Sequence, residues 1–138
     1  MKTIKQLSIF LENQNGKLSD IFNALKEESI EIQAASVADT TDYGILRLIT
    51  SNQIQASKLL QSKGILVNVN EVLAIEIDAN TSTFANAVET ITKEGVSINY
   101  LYTFHKDGNL VLIIRPANLE HAESVISAKG LKLIQGWE

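Results

Sequence analysis

The segment with the strongest chemical character is Glu12-Asn13-Gln14-Asn15-Gly16-Lys17-Leu18, which lies between an alternating apolar run and a helix-like apolar stripe. Gly16 directly precedes the predicted helix, and a glycine there lets the backbone approach a ligand closely. The first N–H groups of a helix have no internal acceptor and attract anions such as a carboxylate. The side-chain amides of Asn13 and Asn15 add donors and acceptors. The segment therefore predicts an anion site, although the same residues also suit an ordinary turn and helix start.

Candidate catalytic groups are few elsewhere in the chain. Neither His105 nor His121 has a partner at the spacing of a metal site or a catalytic triad, so both are interpreted as surface residues. The absence of cysteine excludes disulfides, thiolate metal sites and cysteine nucleophiles. Neither glycine-rich nucleotide fingerprint occurs. We expect no enzyme activity, no cofactor and no metal.

Composition narrows the class of partner. The chain has 138 residues, a net charge of −4 and 20% charged residues, which argues against nucleic acid because phosphates demand a basic surface. The longest apolar run, residues 110–114, is far shorter than the roughly 20 residues that span a bilayer. No signal peptide is visible at the start. We therefore expect no membrane partner and a cytoplasmic location, in line with the lack of cysteine.

Apolar spacing predicts the elements that position the segment at residues 12–18. Strands are predicted over residues 4–11, 32–38, 45–50 and 65–69, with helices over 17–28 and between Asn52 and Gly64. Asn52 is a typical helix N-cap with Gln55 as its capping-box partner, and Gly64 is a typical helix stop.

The same series then repeats 66 residues later. The matched positions are Leu7 with Leu73, Ile9 with Ile75, Leu11 with Ile77, Asn52 with Asn118, Ala56 with Ala122 and Gly64 with Gly130. In the second copy, the residues at 106–109 predict a type I′ hairpin turn. The sequence therefore predicts an α+β protein made of two tandem ferredoxin-like β-α-β-β-α-β units with antiparallel sheets. The predicted domains are residues 1–70 and residues 71–138.

Each predicted sheet has the strand order 4-1-3-2, which leaves the second strand at an edge. The second strands, residues 32–38 and 97–104, contain neither lysine nor proline. Unprotected edges invite pairing, so we expect them to be covered by each other or by a second chain. A connector of about two residues, 70–71, is too short for the two sheets of one chain to join simply through their second strands. A rearranged fourth strand, pairing between chains, and a direct hairpin of residues 65–69 with 72–78 all remain open.

Two such copies, with Glu-Asn-x-x-Gly-x-Leu after the first strand, make the chain similar to tandem ACT domains, which are small regulatory modules that bind amino acids at interfaces between paired domains. Asn13, Gly16 and Leu18 fit the family's loop, whereas Asn15 replaces its usual proline. The resemblance implies that the backbone amides of Gly16, Lys17 and Leu18 hold the α-carboxylate of the ligand and that the Asn13 side chain contacts it. The ligand-binding set expected on this basis is Asn13, Gln14, Asn15, Gly16, Lys17 and Leu18, with Ala38 and Asp39 from the end of the second strand.

The second copy departs from this loop pattern. Ala79 stands where Asn13 stands in the first copy, and Ser82 stands where Gly16 does. Thr81 and Ser82 are typical instead of a helix N-cap. The expected site therefore belongs to the first copy.

The resemblance accounts for nearly the whole chain and leaves no segment for a catalytic domain. It implies a free-standing regulatory protein that binds a small ligand, an amino acid, as a homodimer and acts on a partner enzyme. One alternative is a structural interaction module without a ligand. The other is a small enzyme on a ferredoxin-like scaffold, of which an acylphosphatase type would need an arginine in the loop where only Lys17 is charged.

Overall fold

A computed structural model describes residues 1–12, 16–39 and 43–135, with Asp39 described by its backbone alone. The elements in chain order are β1 (Ile4–Glu12), α1 (Lys17–Glu27), β2 (Ile32–Asp39), β3 (Tyr43–Thr50), α2 (Gln53–Ser62), β4 (Val67–Asp78), α3 (Thr81–Lys93), β5 (Ile98–Lys106), β6 (Asn109–Pro116), α4 (Leu119–Ala128) and β7 (Lys132–Leu133). The α+β class and the doubled β-α-β-β-α-β order are confirmed.

The described residues divide into two compact units. The first unit is Lys5–Asn70; the second combines Met1–Ile4 with the described residues from Glu71 onward. In the first unit the strand order is β2-β3-β1-β4, and in the second it is β5-β6-β4-β7. Both follow the predicted 4-1-3-2 order, and β2 and β5 end their sheets.

Alternate strand residues face the helices of each unit and form its core. In the first unit, Leu7 is paired with Leu48 and Ile9 with Leu46 across β1 and β3, and all four are fully buried. Their partners on the helices include Ile21, Leu25, Ala56 and Leu60. The second core has the same plan, with Leu73, Ile75, Ile91, Leu112, Ile114 and Ile126 fully buried. Two small cores thus repeat the periodicity seen in the sequence.

The sequence predicts two short strands around a connector at residues 70–71, but the structure has one strand of 12 residues, β4. No glycine or proline interrupts that strand. Both connector residues also have side-chain partners on the β1 side: Ser8 Oγ donates to Asn70 Oδ1 at 2.6 Å, and Thr3 Oγ1 donates to Glu71 Oε1 at 3.2 Å. The predicted connector is therefore wrong, and the direct hairpin, one of the alternatives left open, does not form.

Helix starts agree with the sequence at two places and differ at a third. The side chains of Asn52 and Asn118 cap α2 and α4 as N-caps. At α3 the cap is Asn80, whose Oδ1 accepts from the Thr83 N–H at 2.8 Å, rather than the predicted Thr81 or Ser82. Asn80 takes this role because a helix can start as soon as a side-chain acceptor is available, and asparagine is among the best.

Candidate functional site

Helix α1 starts differently from the other three helices. Its N-cap is Gly16, with φ 87° and ψ −6° in the left-handed region, and glycine has no side chain with which to cap the helix. The caps of α2, α3 and α4 are asparagines that each accept from the N–H three residues on. The Gly16 carbonyl accepts from the Asp20 N–H at 2.9 Å, which starts the helical bonding. The N-cap residue of α1 therefore provides no side-chain acceptor for the N–H groups of the first helical turn.

The predicted ligand residues fall into three groups: the start of α1, the end of β2, and a segment that lies outside the described residues. Lys17 and Leu18 form the first turn of α1. Ala38 and Asp39 end β2, where they are opposite Ile45 and Gly44 of β3. The predicted residues Asn13, Gln14 and Asn15 lie outside the described residues.

Gly44 shows how tightly the strand ends pack at this end of the first sheet. A Cβ atom on Gly44 would lie 3.4 Å from the Ala38 carbonyl oxygen and 3.6 Å from the Leu11 Cβ. The ends of β1 and β2 thus flank the start of β3 closely. Since Gly16 follows Glu12 of β1 by four residues, it lies within about 14 Å of that strand end. The β2 residues and the α1 start of the predicted site therefore belong to one end of the first unit.

An apolar surface, which we call the α1–β2 surface, runs along the same edge of the first unit. It consists of Leu18 and Phe22 from α1 and Ile32 and Val37 from β2. Ile32 is 44% and Val37 53% exposed, whereas Phe22 is half-buried against the first core. A groove between the two elements is lined by Phe22, Leu25, Lys26, Ser29, Ile30, Glu31 and Ile32. The edge strand and this surface together leave an unprotected border.

The second unit covers the equivalent edge differently. By the repeat offset of 66, Leu101 stands where Ala35 stands in β2 and Phe84 where Leu18 stands in α1, whereas the smaller Val88 stands in place of Phe22. Leu101, Phe84 and Val88 pack against the second core as partly buried residues. The open α1–β2 surface is therefore a property of the first unit's sequence and is not required by the fold. Comparing the two copies position by position is the signal that would have found it.

Glu76 is a charged group with a clearly perturbed pKa, and it lies away from the α1 start. Asn109 Nδ2 donates to Glu76 Oε2 at 2.8 Å, and Lys132 Nζ is 3.1 Å from Glu76 Oε1. The hydrogen bond from Asn109, followed by the interaction with Lys132, lowers the pKa of Glu76 below the ordinary glutamate value. These contacts join β4, β6 and β7, so the role of Glu76 is to hold strands together.

Metal and membrane features are absent from the described part of the chain. Within residues 1–12, 16–39 and 43–135, no group of three or more histidine, aspartate or glutamate side chains is placed to hold a metal ion. None of the helices described there is both long and apolar enough to cross a membrane.

This fold, with its doubled β-α-β-β-α-β order, is that of paired ACT domains. The family model described as an ACT domain pair matches residues 2–138, so the chain belongs to that family. No curated protein matches the chain.

Solved structures extend the comparison. The crystal structure of protein BT0572 from Bacteroides thetaiotaomicron is 34% identical, covers 96% of this chain and 92% of its own, and has a TM-score of 0.88. The ligand-free regulatory subunit of aspartate kinase from Thermus thermophilus is 16% identical, with 92% and 89% covered and a TM-score of 0.61. The corresponding subunit from Thermus flavus is 17% identical, with 93% and 94% covered and a TM-score of 0.60. The two kinase subunits show likeness of fold alone.

Proposed function

We propose that the protein is a regulatory protein that binds an amino acid at the start of α1 and has no catalytic activity of its own. Membership in the ACT domain pair family supports a regulatory ligand-binding role. Solved proteins of similar fold include regulatory subunits of aspartate kinase. In the proposal, the protein acts on a separate enzyme in the cytoplasm.

The observation that carries this proposal is the left-handed Gly16 at the start of α1. In the proposal, the N–H groups of Gly16, Lys17 and Leu18 hold the α-carboxylate, where the positive end of the helix favours an anion. Gly16 suits this role because it has no Cβ to keep the ligand away.

The rest of the ligand is proposed to contact residues on either side of that turn. The side chains of Asn13, Gln14 and Asn15 contribute amide contacts from the preceding loop. Ala38 and Asp39 contribute from the end of β2. A short Ala38 side chain leaves space next to the strand, and an Asp39 carboxylate suits the ammonium group of an amino acid.

The proposed assembly is a homodimer in which the α1–β2 surface of the first unit meets a second copy of the chain. A ligand at this interface binds one arrangement of the two copies more tightly than others and shifts the population toward it. The partner enzyme then responds to the favoured arrangement.

Calorimetric titration with each of the twenty amino acids tests the proposal. We expect one amino acid, or a small chemically related group, to bind the wild type, and Gly16→Asp to abolish binding because it places a carboxylate where the ligand's carboxylate belongs. Gly64→Asp is the matched control. Gly64 is also left-handed, with φ 79° and nothing within 4 Å of an added Cβ, but it follows α2.

Both variants lose stability through the same backbone strain, of roughly 1–2 kcal/mol, so strain alone cannot separate them. Binding that survives Gly16→Asp, or is lost equally in Gly64→Asp, would contradict the site. A wild type that binds none of the twenty amino acids would contradict the function.

The unprotected β2 edge favours a second candidate, an interaction module that recognises a protein partner without a ligand. The two candidates differ in a thermal-shift screen. A ligand at one hundred times its Kd adds about 2.7 kcal/mol to the stability of the folded state. The interaction module predicts no shift with any amino acid.

A further inference from the structure

A second concave feature of the first unit, which we call the α2 cleft, lies between helix α2 and strands β1 and β4. It has a volume of about 250 Å³. β1 contributes Lys5 and Leu7, β4 contributes Val69, and α2 contributes Ile54 and Lys58 among its lining residues. It involves neither the α1 start nor the α1–β2 surface.

The walls of the α2 cleft follow from simple periodicity. On α2, the lining residues Ile54, Ser57, Lys58 and Gln61 recur at i, i+3, i+4 and i+7, which places them on one face of the helix. Leu7 is fully buried and forms an apolar base, whereas Ile54 is 47% and Val69 50% exposed. The cleft is thus an apolar trough that is open to solvent.

Hydrogen bonds fix the position of both walls. The buried Gln53 side chain joins α2 to the strands, because its Nε2 donates to the carbonyl oxygens of Lys5 at 2.9 Å and Leu48 at 3.0 Å. Ser8 Oγ donates to Asn70 Oδ1 at 2.6 Å and joins β1 to β4. A cleft between elements held in this way is largely preformed, as small-molecule sites usually are.

The charges of the α2 cleft are all positive. Its two charged lining residues are Lys5 and Lys58, and within the described residues neither lysine has an ion-pair partner. Two cations beside an apolar trough attract an anion that has an apolar body.

The internal repeat shows that these residues are not demanded by the fold. At the offset of 66, the second unit has Glu71 in place of Lys5, Glu120 in place of Ile54, and Glu123 in place of Ser57. The same architecture is therefore built with acidic residues at three positions where the first unit has a lysine, an isoleucine and a serine. A charge difference of this kind at lining positions points to binding rather than to the fold.

We propose that the α2 cleft binds a small aliphatic carboxylate without an α-ammonium group. The carboxylate lies between Lys58 and Lys5, and the hydrocarbon chain covers Leu7, Ile54 and Val69. The missing ammonium group is part of the proposal, because an ammonium next to the carboxylate would be repelled by both lysines. The cleft thus takes a different chemical class from the amino acid proposed for the α1 start, and its existence does not depend on that site.

The test is an NMR titration of the ¹⁵N-labelled full chain with hexanoate. Two probes share its carbon chain: hexanamide has no charge, and norleucine adds an α-ammonium group. We expect hexanoate to shift the backbone amides of Ile54, Ser57, Lys58 and Val69, with both other probes at least about tenfold weaker because the charge pairing is lost or opposed.

Charge reversal at one lysine supplies the second arm. Lys58→Glu should weaken hexanoate binding by about tenfold or more, since it replaces attraction by repulsion. Lys63→Glu is the matched control at the exposed C-cap of the same helix, outside the lining, and should leave the affinity unchanged. Gly16→Asp should also leave it unchanged, which separates this cleft from the amino-acid site.

Three results would overturn the proposal. They are no shift in the cleft residues with hexanoate, equal binding of hexanoate and hexanamide, and equal weakening by Lys58→Glu and Lys63→Glu. A failure of amino-acid binding with hexanoate binding intact would refute only the function proposed for the α1 start.

Discussion

Gln53 is a polar side chain buried in the first unit, and replacing it by leucine tests how much one hydrogen-bond cluster contributes to stability. The residue is 2% exposed. Its Oε1 accepts from the Thr50 N–H at 2.9 Å and from the Thr50 hydroxyl at 2.6 Å. Its Nε2 donates to two strand carbonyls, of Lys5 and Leu48. All four hydrogen-bonding positions of the side chain are therefore used.

The expected loss follows from these contacts. Each net hydrogen bond contributes about 1 kcal/mol, so four contribute about 4 kcal/mol. Leucine recovers about 1.5 kcal/mol through burial of its apolar surface. The replacement is realistic in shape, because Leu119 occupies the equivalent position in the second unit. We expect Gln53→Leu to lower the free energy of unfolding by about 2–3 kcal/mol, the difference between these terms.

Urea denaturation followed by circular dichroism measures the effect. With a slope of about 2 kcal/mol per molar urea, the midpoint of the variant should fall by roughly 1 M. Gln55→Leu is the control, since Gln55 lies on the same helix but is exposed. The Asn52 N–H, which the Gln55 side chain would accept from in the predicted capping box, donates instead to Thr50 Oγ1. Such surface changes stay within about 0.5 kcal/mol. The reasoning is refuted if Gln53→Leu shifts the midpoint no more than Gln55→Leu does.

Two further predictions concern backbone strain and pH. Ser29→Gly should raise the free energy of unfolding by about 1 kcal/mol, and with it the melting temperature. The reason is that Ser29 has a left-handed φ of 56°, where the second unit has Gly95 at φ 80°. Glu76→Gln should lower stability at pH 7. Because Asn109 and Lys132 depress the pKa of Glu76 in the folded state, that carboxylate's contribution is present above the unfolded pKa and is lost as the pH falls through the folded one. Urea midpoints of wild type and variant should therefore converge between pH 7 and pH 3.

Each of these two predictions has a control within the chain. Gly95→Ser introduces the strain that Ser29→Gly removes, so it should lower the melting temperature; a rise there would contradict the argument. Glu89→Gln removes a carboxylate that pairs with Lys93 at 2.7 Å with 59% of its side chain exposed. Exposed pairs contribute little, so its midpoint should stay near the wild-type value across the pH range.

The fold was predictable because periodicity and helix ends agree twice along the chain. Asn52 and Asn118 are separated by 66 residues and cap equivalent helices. Asp107 and Gly108 have positive φ angles of 52° and 81°, as the two central residues of the predicted type I′ turn require. These features depend on local chemistry, which a sequence displays directly.

The errors occurred where local chemistry permits more than one outcome. Residues 70–71 are polar and resemble a connector, but their side-chain partners, Ser8 and Thr3, are more than 60 positions away in the sequence. Asn80, Thr81 and Ser82 are all good cap residues, and the apolar pattern does not show at which of them the extended backbone ends. Gln53 has the character of a surface residue at a helix start, and its hydrogen bond to the Lys5 carbonyl, 48 residues away, does not show in the local pattern.

The candidate sites also differ in how far a local sequence signal identifies them. Gly16 was identifiable because a glycine before an apolar helical stripe is a local signal, and the structure gives it the left-handed backbone that only glycine adopts readily. The roles of Asn13, Gln14 and Asn15 stay predictions, since these residues lie outside the described part of the chain. The α2 cleft was missed because it combines Lys5, Lys58 and Val69, which share no motif.

The backbone conformation at the helix starts also limits how easily the helix start of one copy can be converted into that of the other. Asn52, Asn80 and Asn118 cap their helices from extended conformations, with φ of −149°, −147° and −124°, whereas Gly16 has φ 87°. Exchanging glycine and asparagine at one position would change the side chain but would not convert the left-handed backbone conformation into the extended one, or the reverse. A protein engineer who wished to move the α1 start into the second unit would have to transplant the whole segment from the end of the strand to the first helical turn. The asymmetry between the copies is therefore hard to reverse by stepwise mutation.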